Sequence, residues 1–227
     1  MSPQKQCVCC ARTVVTTLVY NEVGIASAKA LGLETFQLPY HYRIGHAICK
    51  VADCISPPAD PTDSLLSRCR YDEGARPSSA KLIPCASVDE QLGRLVIAIK
   101  RQLRAYPDEL LGVLVPANAD IPRVKERLTT AEFSDVVSYH EPGREGDRSF
   151  YANQRVCVIT VNSAKGLEFR AVHLMFVEKL RSARPEKLFT AVTRAKTSLT
   201  AYSTGSVPPL LDAAFAEPAE PTLDDLF

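Results

Sequence analysis

The chain has 227 residues, 46% of them hydrophobic and 23% charged, enough to bury one sizeable core with a small appendage. Its 27 lysines and arginines against 26 aspartates and glutamates leave a net charge of +1. No global basic field therefore marks a nucleic-acid binder, and any such contact falls to a local patch. No apolar run reaches the roughly 18 to 20 residues that cross a bilayer. The N-terminus lacks the apolar core of a signal peptide, so a cytoplasmic protein with no membrane partner is expected.

The first stretch, residues 7–20, is rich in Val, Thr and Cys and suits a strand, with helix as the alternative. The eight cysteines are scattered and are expected as reduced thiols; Cys7, Cys9 and Cys10 lack a second pair and a nearby His, so no metal site is expected. Residues 23–31 read as a short helix closed by Gly32, and 35–38 as a strand ended by Pro39. In residues 44–55, Ile44, Ala47, Ile48, Val51, Ala52 and Ile55 recur at spacings of three and four, predicting a helix with one buried face. The Pro-, Asp-, Ser- and Arg-rich stretch 56–79 reads as a surface excursion.

Strands follow at 81–85, 112–115, 136–139, 156–161, 171–176 and 199–202, with helices at 88–106, from 122, and at 185–196. Strands alternating with helices, several apolar throughout, predict an α/β fold: three layers, a mainly parallel sheet covered by helices. Beyond Pro208 the composition turns to Ala, Pro and acid, and residues 208–227 are expected to form a flexible acidic tail.

Residues 160–169 lie directly after the most apolar strand, where parallel sheets place ligands. Gly166 permits a close turn, while Ser163, Lys165 and Glu168 offer a hydroxyl, a cation and an acceptor suited to phosphate or sugar. On residues alone, an ordinary glycine turn explains the segment equally well.

The string Ser163-Ala164-Lys165-Gly166-Leu167-Glu168-Phe169 resembles motif V of UvrD/Rep-type superfamily 1 DNA helicases. Downstream, Leu188-Phe189-Thr190-Ala191-Val192-Thr193-Arg194-Ala195-Lys196 is similar to motif VI. Leu38-Pro39-Tyr40-His41-Tyr42-Arg43 before the 44–55 helix resembles motif IV, with His41 where Asn is common. The resemblance implies a RecA-like C-terminal helicase domain over residues 38–207, with residues 1–37 joining a preceding helicase domain. Its function would be half of an ATP-dependent DNA helicase, with DNA repair as the expected setting.

By the same resemblance Tyr42 stacks on adenine, Arg43 reaches the γ-phosphate, Lys165, Gly166 and Glu168 line the nucleotide cleft, and Arg194 acts as an arginine finger. For an isolated Arg194 a surface salt bridge would be the plainer role. Thr160, Asn162 and Ser163 are the candidates for a single-stranded DNA groove. No Gly-x-x-x-x-Gly-Lys-Ser/Thr string occurs, so ATP and Mg²⁺ are expected only in combination with an N-terminal P-loop helicase domain. Gln4-Lys5-Gln6-Cys7 is weakly similar to motif III. The C-terminal Thr222-Leu223-Asp224-Asp225-Leu226-Phe227 looks like a sliding-clamp-binding peptide. The alternatives to a helicase half are a non-catalytic DNA- or protein-binding module and a truncated remnant.

Overall fold

The computed structural model describes residues 39–131, 133–140 and 154–216. The expected elements at 7–20, 23–31 and 35–38, the motif III-like start, the Cys7 cluster and the clamp-like C-terminus lie outside the described residues.

In chain order the described elements are α1 (His46–Ile55), β1 (Ser79–Cys85), α2 (Val88–Ala105), β2 (Leu111–Val115), α3 (Ile121–Thr130), β3 (Val137–Tyr139), β4 (Val156–Thr160), β5 (Phe169–Leu174), α4 (Pro185–Val192), β6 (Ala195–Thr204) and α5 (Pro209–Phe215). The six strands form one sheet in the order β1-β6-β5-β2-β4-β3, every neighbour parallel. Strands β2, β4 and β5 are buried throughout, which explains their unbroken apolar runs: both faces are covered.

The period of two divides each strand between two cores. Val156 and Val158 pack with Leu92, Leu95, Ile99, Val124 and Leu128 of α2 and α3. Cys157 and Ile159 pack on the other side with Ile48, Val51, Leu188, Ala191 and Leu211 of α1, α4 and α5. Helix α2 starts at Ser87, whose hydroxyl accepts from the Glu90 N–H at 3.1 Å while Glu90 Oε2 accepts from the Ala86 N–H at 2.7 Å. No described helix is long and apolar enough to cross a membrane.

Three expectations need correction. The helix expected over 185–196 ends at Val192, and Ala195 already begins β6. Alternation wins over helical spacing there: Ala195, Thr197, Leu199 and Ala201 are buried while the residues between them are half-exposed. The strand expected at 171–176 begins at Phe169 and stops at Leu174, because Phe176 takes a left-handed backbone (φ 55°) that turns the chain away. Finally, residues 209–215, expected within the mobile tail, form α5, and Leu211 and Ala214 dock it in the core.

The 56–79 excursion is also more tightly tied than its composition suggests. Asp53 of α1 accepts from the N–H groups of Leu65 and Leu66 at 2.8 and 2.9 Å. Glu73 Oε1 accepts from the His46 N–H at 2.6 Å and Ser78 Oγ from the Ala47 N–H at 3.0 Å, so this stretch caps the N-terminus of α1.

Candidate nucleotide and nucleic-acid site

Strands β4 and β5 are parallel and flank β2, so the segment joining them must cross the sheet from the C-terminal edge to the N-terminal edge. Val156 and Ala171 both pair with Leu111, which sets Thr160 six residue levels above Phe169, roughly 20 Å along the strands. The loop therefore does not present Ser163 and Glu168 to one ligand, as its composition suggested. Its first residues belong to one edge of the sheet and its last to the other.

At the N-terminal edge three segments converge. Arg43, in the turn before α1, donates from Nη1 to Glu168 Oε1 at 2.5 Å, and Lys196 Nζ lies 3.4 Å from Glu168 Oε2. The turn is held by the Gly45 N–H, which donates to Lys196 O at 2.8 Å; a Cβ on Gly45 would collide with Ser78, so glycine is required for this close approach. Burial raises the Glu168 carboxyl, but Arg43 and Lys196 outweigh it and hold the group below the usual carboxylate range. Tyr42 is 70% exposed beside this cluster, an aromatic face left open.

Arg194 belongs to the same corner but is 3% exposed. Its Nε donates to Thr190 O at 3.1 Å and its Nη1 to Leu167 O at 3.2 Å, bonding the last turn of α4 to the end of the crossover. Burial first, and then the neighbouring Arg43 cation, depress its pKa, while Glu168 opposes them. Arg194 thus holds a structural position in addition to any role at the cleft. Gly166 has φ +83° with open space where a side chain would sit, as the turn reading requires, and Lys165 beside it is exposed.

The C-terminal edge carries Thr160, Asn162 and Ser163. Thr160 is buried, and its hydroxyl donates to Ser163 Oγ at 2.9 Å and accepts from the Ser163 N–H at 3.2 Å, which shapes the turn and leaves Asn162 and Ser163 exposed. Asn162 lines a groove of about 440 Å³ together with Pro116, Asp120, Lys179, Arg184 and Lys187. Phe176 delivers Lys179 to this groove: its N–H donates at 3.1 Å to Oε1 of the fully buried Gln91, fixing the left-handed turn that leads into the 3-10 helix Val177–Leu180. Lys179 pairs with Asp120 across the groove wall. Sequence reading had found Asn162 but missed Lys179, Arg184 and Lys187, which lie between β5 and the first turn of α4 and carry no motif string.

A cationic corner beside an open aromatic ring, and a second cationic groove on the opposite sheet edge, thus stand on an α/β domain built around an all-parallel sheet. Residues 155–202 match the UvrD-like helicase C-terminal domain family. No curated protein matches the chain. Among solved structures, the C-terminal domain of a possible DNA helicase from Lactobacillus plantarum WCFS1 is similar at 18% identity and TM-score 0.56, over 77% of this chain and 94% of that one. The UvsW helicase of bacteriophage T4 aligns at 10% identity and TM-score 0.47, over 85% and 74% of the two chains. An arterivirus helicase, nonstructural protein 10 in complex with DNA, aligns at 14% identity and TM-score 0.43, and the alignment spans only 34% of that chain. Residues 155–202 thus resemble a UvrD-like helicase C-terminal domain, and the fold around them is similar to that of the Lactobacillus plantarum domain.

Proposed function

We propose that this domain forms the second wall of the nucleotide cleft of an ATP-dependent DNA helicase and part of its single-stranded DNA groove. The observation that carries the reading is the meeting of Arg43, Arg194 and Lys196 around the single carboxylate of Glu168, beside the exposed ring of Tyr42. Three cations against one carboxylate leave a positive corner that an anion can occupy by replacing Glu168 on Arg43.

The donors fit a nucleotide: ATP would bring a triphosphate for the cations and a planar base for Tyr42. Arg43, the more exposed arginine, pairs with the phosphate first. Glu168, displaced, is free to accept from a sugar hydroxyl. Arg194 rearranges least, since its donors are committed to Thr190 and Leu167; it stabilises developing phosphoryl charge mainly through its field. No acidic pair for Mg²⁺ stands among the described cluster residues, so metal chemistry is assigned to the P-loop partner domain.

Single-stranded DNA enters the reading through the groove at the opposite edge, where Asn162 and Ser163 can bond phosphate and Lys179, Arg184 and Lys187 supply charge. The crossover, joining one edge to the other in a single short segment, is the part of the chain through which the two sites are coupled.

The test is steady-state ATPase activity with single-stranded DNA, for the chain alone and mixed with an N-terminal P-loop domain from the same genome. Activity only in the mixture, lost with Arg43→Ala, is the expected result. Submicromolar ATP binding by the chain alone would contradict the half-site. DNA binding with silence in both ATPase assays would leave the non-catalytic binding module, the reading the basic groove would support by itself.

A further inference from the structure

A second cluster lies behind the Tyr42-Arg43 turn. His41, Cys49 and Cys69 come from three segments: the strand-like residue before the turn, the buried face of α1, and the 56–79 excursion. His41 and Cys69 form an isolated parallel bridge, with the His41 N–H donating to Arg68 O at 3.0 Å and the Arg70 N–H to His41 O at 2.7 Å. Their three ligand-type atoms all lie within 4.8 Å of one another, and Cys49 Sγ is 3.9 Å from His41 Nε2.

We propose that His41, Cys49 and Cys69 form a binding site for zinc or a similar thiophilic divalent ion, which clips the excursion to α1. Metal–sulfur bonds of about 2.3 Å and metal–nitrogen bonds of about 2.0 Å in a tetrahedral site set ligand atoms roughly 3.5 to 3.8 Å apart, so the cluster needs to contract by at most about 1.3 Å.

The imidazole is poised as a ligand. Its Nε2 is 2.8 Å from Leu65 O, a backbone acceptor that holds a proton on that nitrogen, and its Nδ1 is buried without a partner among the described residues. Nε2 is also the nitrogen 3.9 Å from Cys49 Sγ, so ligation through it exchanges the Leu65 O hydrogen bond for the ion and moves the ring proton to Nδ1. Both thiols point at one acceptor, Ile44 O, at 3.5 Å from Cys49 Sγ and 3.1 Å from Cys69 Sγ. Ile44 O, within reach of both sulfurs, or a water would fill the fourth position of a tetrahedral site.

An ordinary core cluster would explain buried cysteines, but not an imidazole whose one nitrogen sits between a backbone carbonyl and a thiol while the other is buried and unpartnered among the described residues. The site also answers a structural need: the excursion is polar and contributes few apolar anchors, of which Cys69 is the most buried. Because His41 immediately precedes Tyr42 and Arg43, occupancy would stiffen the turn that carries both.

The test is a Co²⁺ titration of the reduced full chain, followed by back-titration with Zn²⁺. One equivalent giving the thiolate charge-transfer and tetrahedral d–d bands, displaced by Zn²⁺, is expected. Cys69→Ser and His41→Gln should each weaken binding at least about a hundredfold, with circular dichroism unchanged for His41→Gln, while Cys85→Ser and a Cys7→Ser, Cys9→Ser, Cys10→Ser triple variant bind as the parent does. Absence of the bands in the reduced parent overturns the proposal regardless of how the variants fold. So do bands that survive Cys69→Ser, or that vanish only in the triple variant.

Discussion

Arg43 and Glu168 stand 125 residues apart in sequence and meet at 2.5 Å, joining the turn before α1 to the end of the β4–β5 crossover. The pair is partly open to water, with side-chain exposures of 28% and 37%, so solvent screens it. Arg43→Ala should therefore cost the fold about 1 kcal/mol or less. Urea unfolding measures this; a loss several times larger would make Arg43 a structural residue and weaken its assignment to the cleft.

Arg194 should behave in the opposite way. Its removal takes a buried donor from Leu167 O and from Thr190 O, which the Thr193 hydroxyl also reaches, and opens a space the size of a guanidinium stem. Arg194→Ala should cost on the order of 2–4 kcal/mol, and Arg194→Lys less, since one donor and most of the stem remain. A melting temperature unchanged in Arg194→Ala would return the residue to a purely functional role.

A tighter contact joins β2 to the end of the same crossover. A Cβ at Gly112 would lie 2.6 and 2.7 Å from the Cδ2 and Cγ atoms of the fully buried Phe169 ring. Gly112→Ala should destabilise by about 1–3 kcal/mol through overpacking. Adding Phe169→Leu should recover part of that loss, so the double variant costs less than the two single changes summed. Strict additivity would show that the ring does not sit against Gly112.

The layered fold was legible because its signals are local: unbroken Val and Ile runs in β2 and β4, and three-four spacing in α1 and α2. The α4–β6 boundary was not, since Thr193-Arg194-Ala195-Lys196 satisfies a helical pattern as well as a strand, and only pairing of Ala195 with Phe169 decides between them. The motif strings marked Arg43, Glu168 and Arg194, and the structure brings these together. What they could not indicate was that Ser163 and Glu168, five residues apart, face opposite edges; that follows from sheet order, a long-range property. Lys179, Arg184 and Lys187 lie in one stretch after β5, and that they share a groove with Asn162 follows from the same sheet order.

The excursion offers a direct test of its tethering. Asp53 accepts from two backbone N–H groups at Leu65 and Leu66, and charged acceptors of this kind contribute about 1.5–3 kcal/mol each. In chelator-treated protein, Asp53→Ala should speed tryptic cleavage at Arg68 and Arg70 several-fold while cleavage elsewhere is little changed. Equal cleavage rates in parent and variant would mean that Glu73 and Tyr71, whose hydroxyl lies 2.9 Å from Thr197 Oγ1, hold the segment in place of Asp53.

His173 sets the acid limit of stability. It is fully buried in β5, its Nδ1 3.1 Å from Tyr202 Oη and its Nε2 2.8 Å from Gln102 Oε1, and burial pushes its pKa from 6.5 down to about 4. Between those values the unfolded chain binds a proton that the folded chain refuses, so stability is complete above pH 6.5 and declines as the pH falls toward 4. The full difference is about 3 kcal/mol. The carboxyls of Glu73 and Glu168, both held below their usual range, add their losses only at the acid end of this window. Urea unfolding at a series of pH values should show the slope beginning near 6, and His173→Gln should reduce it above pH 5 despite a lower baseline, with the half-buried His41, also held below 6.5 by burial, carrying the remainder. An identical slope in the variant would mean that another group carries the titration.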